Sequence, residues 1–153
     1  MNFDVITIAA LVDELLDTIV GGRVQNVIDT DETGIGLEIY SHHKRHYLYL
    51  SGDQQFARAH LVSYKLRRGL ATPTQLGLLL RTRVKGGRIT HVSQPKWERI
   101  IEVDLESGED QFKLVLELMG RRSNLLFLQD NMILDCIRRI GPEQNRYRLS
   151  LPN

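Results

Sequence analysis

Thr7-Ile-Ala-Ala-Leu-Val-Asp-Glu-Leu-Leu-Asp-Thr-Ile-Val-Gly-Gly-Arg-Val24 is echoed 65 residues later by Thr72-Pro-Thr-Gln-Leu-Gly-Leu-Leu-Leu-Arg-Thr-Arg-Val-Lys-Gly-Gly-Arg-Ile89. Each copy places apolar residues at helical spacing: Leu11, Leu15 and Ile19 in the first, Leu76, Leu80 and Val84 in the second. Thr7 and Thr72 stand where a hydroxyl can cap the first turn, and Pro73, Asp13 and Glu14 suit the early part of a helix. Gly21 and Gly86 then end the helices, because glycine takes the left-handed conformation that a helix C-terminus commonly needs. A strand follows each Gly-Gly-Arg, over 24–28 and 89–92.

Working outward, alternating apolar residues predict further strands over 36–40, 46–50, 99–105, 112–118, 124–128 and 132–137. Turn residues separate them at 30–34, 41–45, 107–110 and 129–131. Two helices among about eight short antiparallel strands give the α+β class, as a β-sandwich or flattened barrel with flanking helices. The echo implies two pseudo-twofold halves.

Glu117-Leu-Met-Gly-Arg-Arg-Ser-Asn-Leu-Leu-Phe-Leu128 reads as a hairpin with a tight polar turn between apolar strands. Such a turn presents the Arg121 and Arg122 guanidiniums stiffly, a suitable arrangement for phosphate or base edges. Two roles stand open for Arg121, Arg122 and Asn124: contact with RNA, or an internal brace in which Arg121 pairs with Glu117 or Glu98 and Asn124 closes the turn.

The chain has 153 residues, enough for one domain over 1–153. Its end, Leu151-Pro152-Asn153, reads as a boundary inside a longer protein. The net charge of +1 conceals an asymmetry. Residues 1–60 carry nine acids against four bases, which leaves ten acids and sixteen bases for residues 61–153. A basic half beside an acidic one allows a directed footprint toward polyanions. The lone Cys136 forms no internal disulfide and reads as a small core residue. With no leader pattern and no apolar run near the ~18 residues of a membrane span, a cytoplasmic protein is expected, without a membrane partner.

No catalytic set stands out. Gly-x-Ser-x-Gly, Gly-x-x-x-x-Gly-Lys, His-Glu-x-x-His and cysteine pairs are all missing, so neither an enzyme nor a cofactor is expected. His42, His43 and His46 surround Lys44 and Arg45, two cations that oppose metal binding, and read as a polar hairpin tip. The binding candidates are basic with interleaved aromatics: Lys96-Trp97-Glu98-Arg99 at a strand start, Arg138-Arg139, and Arg146-Tyr147-Arg148. That pattern fits single-stranded or looped RNA, with Trp97 expected half-buried.

Val84-Lys-Gly-Gly-Arg-Ile89, Glu117-Leu-Met-Gly-Arg-Arg-Ser-Asn124, and Arg138-Arg-Ile-Gly-Pro-Glu-Gln-Asn-Arg-Tyr-Arg148 with Leu151-Pro152 resemble the N-terminal domain of the NFACT family. Met1-Asn-Phe-Asp4, Gly21-Gly-Arg23 and Ala57-Arg-Ala-His-Leu61 fit its opening segments. The family includes ribosome quality control factors of the RqcH and NEMF type and proteins labelled fibronectin-binding protein A. The resemblance implies a fold similar to the N-terminal domain of formamidopyrimidine-DNA glycosylases, whose Pro-Glu start is replaced here by Met1-Asn2-Phe3. It also implies binding of tRNA and the large ribosomal subunit, with C-terminal tailing of stalled nascent chains. The family's tRNA-contacting Asp-Arg pair corresponds to Glu98 and Arg99, with a longer acid, and Arg122 stands where the family often has His. Arg88, Arg121, Arg122 and Asn124 are the further candidates for RNA contact or structure. A fibronectin-binding surface adhesin and a DNA-lesion-binding glycosylase-like domain are the alternatives; fibronectin is the doubtful partner, since no signal peptide is present.

Overall fold

The computed structural model describes residues 4–138. The Arg139, Arg146, Tyr147 and Arg148 candidates and the opening Met1-Asn2-Phe3 lie outside them. Helix α1 (Val5–Thr18) leads into β1 (Arg23–Asp31), β2 (Gly34–Ser41), β3 (Lys44–Ser51) and β4 (Arg58–Val62). Helix α2 (Gln75–Arg83) leads into β5 (Arg88–Ser93), β6 (Ile100–Ser107), β7 (Asp110–Glu117), β8 (Asn124–Gln129) and β9 (Met132–Cys136). The strands form one antiparallel sheet in the order β4-β3-β2-β1-β5-β6-β7-β8-β9. The expected α+β class holds. The flattened barrel does not, because the sheet runs from β4 to β9 without closing.

The two Gly-Gly-Arg segments meet at the centre of that order. Gly21 N–H donates to Ile89 O (2.7 Å) and Ile89 N–H to Gly22 O (2.9 Å). Gly86 N–H donates to Val24 O (2.7 Å) and Val24 N–H to Gly87 O (2.8 Å), so each segment repeats what the other does. Gly21 and Gly86 share φ +88°, the left-handed turn that ends each helix. Gly22 and Gly87 are required for space: a Cβ on Gly22 would stand 2.7 Å from Ile39 Cγ2 and 2.8 Å from the Ile19 carbonyl, and one on Gly87 would stand 2.6 Å from the Glu106 carbonyl.

The helices cross over the seam. α1 packs on β5 and β6, and α2 packs on β1 and β9, so each half covers strands of the other. Ile8, Val12, Leu15 and Ile19 from the first helical segment meet Leu76, Leu80 and Val84 from the second in one core. Strand residues from both halves complete it, among them Leu37, Leu48, Leu114 and Phe127. Phe127 stacks on Phe112 with ring centroids 5.2 Å apart. A smaller apolar cluster of Ile100, Val115, Leu126, Leu128 and Ile133 occupies the opposite face of β6–β9, as alternation along the strands requires.

Several boundaries differ from the sequence reading. The caps are Asp4, whose carboxylate accepts from Thr7 N–H at 2.8 Å, and Thr74, whose hydroxyl accepts from Gly77 N–H at 3.0 Å, rather than Thr7 and Thr72. Strand β4 was not expected at all; Arg58–Val62 alternates weakly, and its pairing with β3 defines it. Arg99 lies just outside β6. His42 and His43 are the two left-handed residues of the β2–β3 turn (φ 52° and 63°), with no metal-holding group of three ligands among the described residues.

Gly22→Ala is expected to destabilise the fold by about 3 kcal/mol, since backbone and core atoms must shift to admit the methyl. Gly21→Ala, which meets only a backbone preference, costs about 1–2 kcal/mol. Urea unfolding midpoints read the order, and equal losses would show that the seam is loosely packed. A second expectation concerns pH. The buried Tyr49 phenol donates to Asp31 Oδ2 at 2.5 Å, and burial, with that carboxylate, raises its pKa above the ordinary 10.0. The neutral phenol is favoured in the fold, so its stabilising contribution is complete below pH about 10 and declines as pH rises toward the raised value. Tyr49→Phe should flatten the alkaline limb of stability against pH.

Candidate nucleic-acid interface

Two connections emerge at the same end of the sheet. β5 and β6 are joined by residues 94–99, and β7 and β8 by residues 118–123, which contain a short 3₁₀ turn, Gly120–Arg122. Ile100 pairs with Glu117, and Glu117 pairs with Asn124, so both connections leave one edge of the ladder. Leu118 N–H donates to Arg99 O at 2.9 Å and ties them directly.

The first connection is a tight turn closed by Glu98 N–H donating to Pro95 O at 3.0 Å. Its third residue, Trp97, has φ +64° and is 78% exposed. A bulky side chain with positive φ is uncommon and energetically unfavourable. The Gln94 amide holds the turn in place, donating to Glu98 O at 2.9 Å and to Val5 O at 3.1 Å. Trp97 therefore stands clear of the core instead of half-buried, beside exposed Lys96 and Arg99, while Glu98 is half-buried. Among the described residues Glu98 and Arg99 form no ion pair with each other or with a neighbour.

The second connection separates its residues by role. Arg121 and Arg122 are exposed and have no ion-pair partner among the described residues, so the pairing of Arg121 with Glu117 or Glu98, one of the two roles left open for it, is not formed. The Arg121 carbonyl accepts from Gln54 Nε2 at 3.4 Å. Ser123 is buried, and its hydroxyl accepts from Met119 N–H at 2.8 Å, closing the turn. Asn124 is only 1% exposed. Its oxygen accepts from Leu125 N–H (2.9 Å) and Arg138 N–H (3.0 Å), and its amide donates to Arg138 O (2.8 Å). These bonds make Asn124 a structural brace between the start of β8 and Arg138. Arg138 is likewise committed inside: its guanidinium donates to Gly52 O at 2.6 Å and to Ser123 O, linking the end of β3 to the start of β8.

Arg88 does not join this group. It opens β5, whereas residues 94–99 follow the strand's other end. At 3.3 Å per residue the two lie about 20 Å apart. A second basic feature, missed in the sequence, lies on the loop between β4 and α2. Lys65, Arg67 and Arg68 line a cleft of about 730 Å³ against Asn26, Glu38 and Arg81. At its floor the 1%-exposed Asp29 accepts from Arg81 (2.5 Å), which also donates to Val27 O (2.8 Å). The segment Tyr64-Lys-Leu-Arg-Arg68 has the same basic-and-aromatic composition as the other candidates and could have been singled out on that ground.

Asn124→Ala removes a donor and two accepted bonds at a buried position. Stability is expected to fall by about 3 kcal/mol, read by denaturant titration, with Arg122→Ala within about 0.5 kcal/mol of the parent.

The chain matches, over residues 4–153, the family described as NFACT N-terminal and middle domains. It is 31% identical over 159 aligned residues to the Rqc2 homolog RqcH of Streptococcus pneumoniae, covering 99% of this chain and 29% of that protein. To the Rqc2 homolog RqcH of Bacillus subtilis it is 28% identical, covering 99% and 28%. The chain thus spans under a third of the length of these relatives. Among solved structures, the N-terminal domain of fibronectin-binding protein PavA from Streptococcus pneumoniae superposes with a TM-score of 0.87 at 31% identity, over 99% of this chain and 60% of that one. The N-terminal part of the fibronectin/fibrinogen-binding protein from Streptococcus suis gives 0.88 at 29%, over 99% and 59%.

Proposed function

The chain belongs to the NFACT family, and on that premise we propose that it is the noncatalytic, tRNA-engaging module of a cytoplasmic ribosome quality control factor. The factor acts on stalled large ribosomal subunits and supports C-terminal tailing of the nascent chain. The likeness of the fold to formamidopyrimidine-DNA glycosylases belongs to the same proposal.

The observation that carries the tRNA reading is the turn at 94–99. An exposed indole on a clamped turn offers a flat face on which an unstacked base can settle. Lys96 and Arg99 flank it with positive charge that no carboxylate among the described residues cancels by direct pairing. Glu98 accepts from base or ribose donors, and Arg99 donates to phosphate or a base edge. Arg121 and Arg122 extend the same charge from the adjoining turn. An anticodon loop presents splayed bases and closely spaced phosphates, and both parts of this edge suit it.

The fibronectin reading rests on the names of the two superposed proteins, each a fibronectin-binding protein. Immobilised fibronectin tested against the purified chain separates the two: saturable binding indifferent to Arg99→Ala would favour adhesion.

The central test uses tagged full-length protein, with RNA cross-linked on stalled large subunits and sequenced. Arg99→Ala should lower tRNA recovery at least about fivefold, the effect of losing roughly 1 kcal/mol of contact. Absence of tRNA enrichment in the parent, or an unchanged yield in the variant, would sink the reading.

A further inference from the structure

The seam that joins the two halves also brings two arginines together. Arg23 and Arg88 are direct partners across β1 and β5. Val24 N–H donates to Gly87 O and Ile89 N–H to Gly22 O, so the bonds flank the pair and leave it non-hydrogen-bonded. This is the antiparallel geometry with the closest side chains. Like charges placed opposite one another in a sheet are destabilising, yet both residues are exposed and neither has an ion-pair partner among the described residues. Glu106 stands opposite Arg88 on β6, but its carboxylate accepts from Gln111 Nε2 at 3.2 Å and forms no bridge to Arg88. Arg23 is held by donating to Gly86 O at 2.6 Å. Exposed Lys85 adjoins the seam in sequence.

The cleft opens on the same face. Glu38 and Tyr40 are two apart on β2 and therefore share one side of the sheet, the side opposite core residues Leu37 and Ile39. Glu38 pairs with Asn26 in the cleft, and Tyr40, 44% exposed, pairs with Arg23 at the seam. From Asn26 to Arg23 is about 10 Å along β1, and one strand spacing of about 4.8 Å reaches Arg88. Three carboxylates interrupt the positive charge: Asp29 is bridged to Arg81, Glu38 faces Arg45 at 3.9 Å, and exposed Glu106 stands opposite Arg88.

We propose that this face is a second polynucleotide-binding surface, on which Arg67 and Lys65 at the cleft and the Arg23–Arg88 pair at the seam hold the phosphate backbone of an RNA strand. Tyr40, beside Arg23 on β2, supplies a ring for a base. Basic side chains spaced along one face with an aromatic beside them suit a single strand bound without reading its sequence. The surface lies about 20 Å from the turn at 94–99, too far for one phosphate to touch both. The protein therefore grips RNA at two separated points. This rests on the RNA-binding reading of the domain but not on the identity of the RNA at the turn.

The test is the salt dependence of binding to a fluorescent oligouridylate of about 20 nucleotides, followed by anisotropy. Each phosphate contact to a single strand contributes about 0.7 to the slope of log K against log salt. Arg67→Gln with Arg88→Gln should lower that slope by about 1.4, and Arg67→Lys with Arg88→Lys should restore it. Both positions are exposed, so an unchanged thermal melt certifies the fold of each variant. An unchanged slope in the Gln pair overturns the surface, as does displacement of the RNA by polyglutamate as effectively as by unlabelled RNA. The latter would assign the face to acidic protein partners. Arg99→Ala, measured in parallel on bulk tRNA, separates the two ideas. Loss there with no change in the Gln pair leaves the turn reading standing alone, and the converse leaves the track standing alone.

Discussion

Four backbone hydrogen bonds between Gly21–Val24 and Gly86–Ile89 hold the two halves of this protein as one. Every other relationship follows from that crossing. It sets β1 beside β5 and so makes two four- and five-strand meanders into a single nine-stranded sheet. It also aims each helix across to the other half, because a left-handed glycine ends the helix immediately before the crossing. Two side chains of hydrogen at Gly22 and Gly87 allow it, since any Cβ would strike core or backbone atoms. The helices then contribute Leu15, Ile19, Leu80 and Val84 to a common core. Neither half buries its apolar surface alone, so the halves should unfold together.

A second tie closes the far side. The end of β3 approaches the start of β8 so closely that a Cβ on Gly52 would stand 2.8 Å from the Asn124 backbone. Arg138 bridges the Gly52 and Ser123 carbonyls there, and Asn124 satisfies the Arg138 backbone in return. This explains why a segment rich in polar residues sits between apolar strands. Its buried members, Ser123 and Asn124, satisfy backbone groups that packing removes from water. Its exposed members, Arg121 and Arg122, have no ion-pair partner among the described residues.

The surface separates in the same way. At one end of the sheet, Gln94 fixes a turn that exposes Trp97 between Lys96 and Arg99. On the outer face, cross-strand pairing sets Arg23 against Arg88 without an intervening acid. Both carry a cost, one in backbone strain that the Gln94 bonds hold in place and one in repulsion that no ion pair among the described residues relieves.

Local periodicity and glycine conformation encode the repeat, the α+β class, both helix stops and eight of the nine strands among the described residues, so all of these are legible in the sequence. It also carried the family in the residues around Gly86-Gly-Arg88 and Glu117–Asn124. It could not decide which polar residues face water. Arg121, Asn124 and Arg138 all read as polar candidates in the sequence, yet one is exposed and two brace the fold, a difference created by the approach of β3 to β8. Nor could it place β4, the cleft beneath Lys65 and Arg67, or the Arg23–Arg88 pair. Those depend on contacts between residues tens of positions apart, which only the crossing of the two glycine pairs brings within reach.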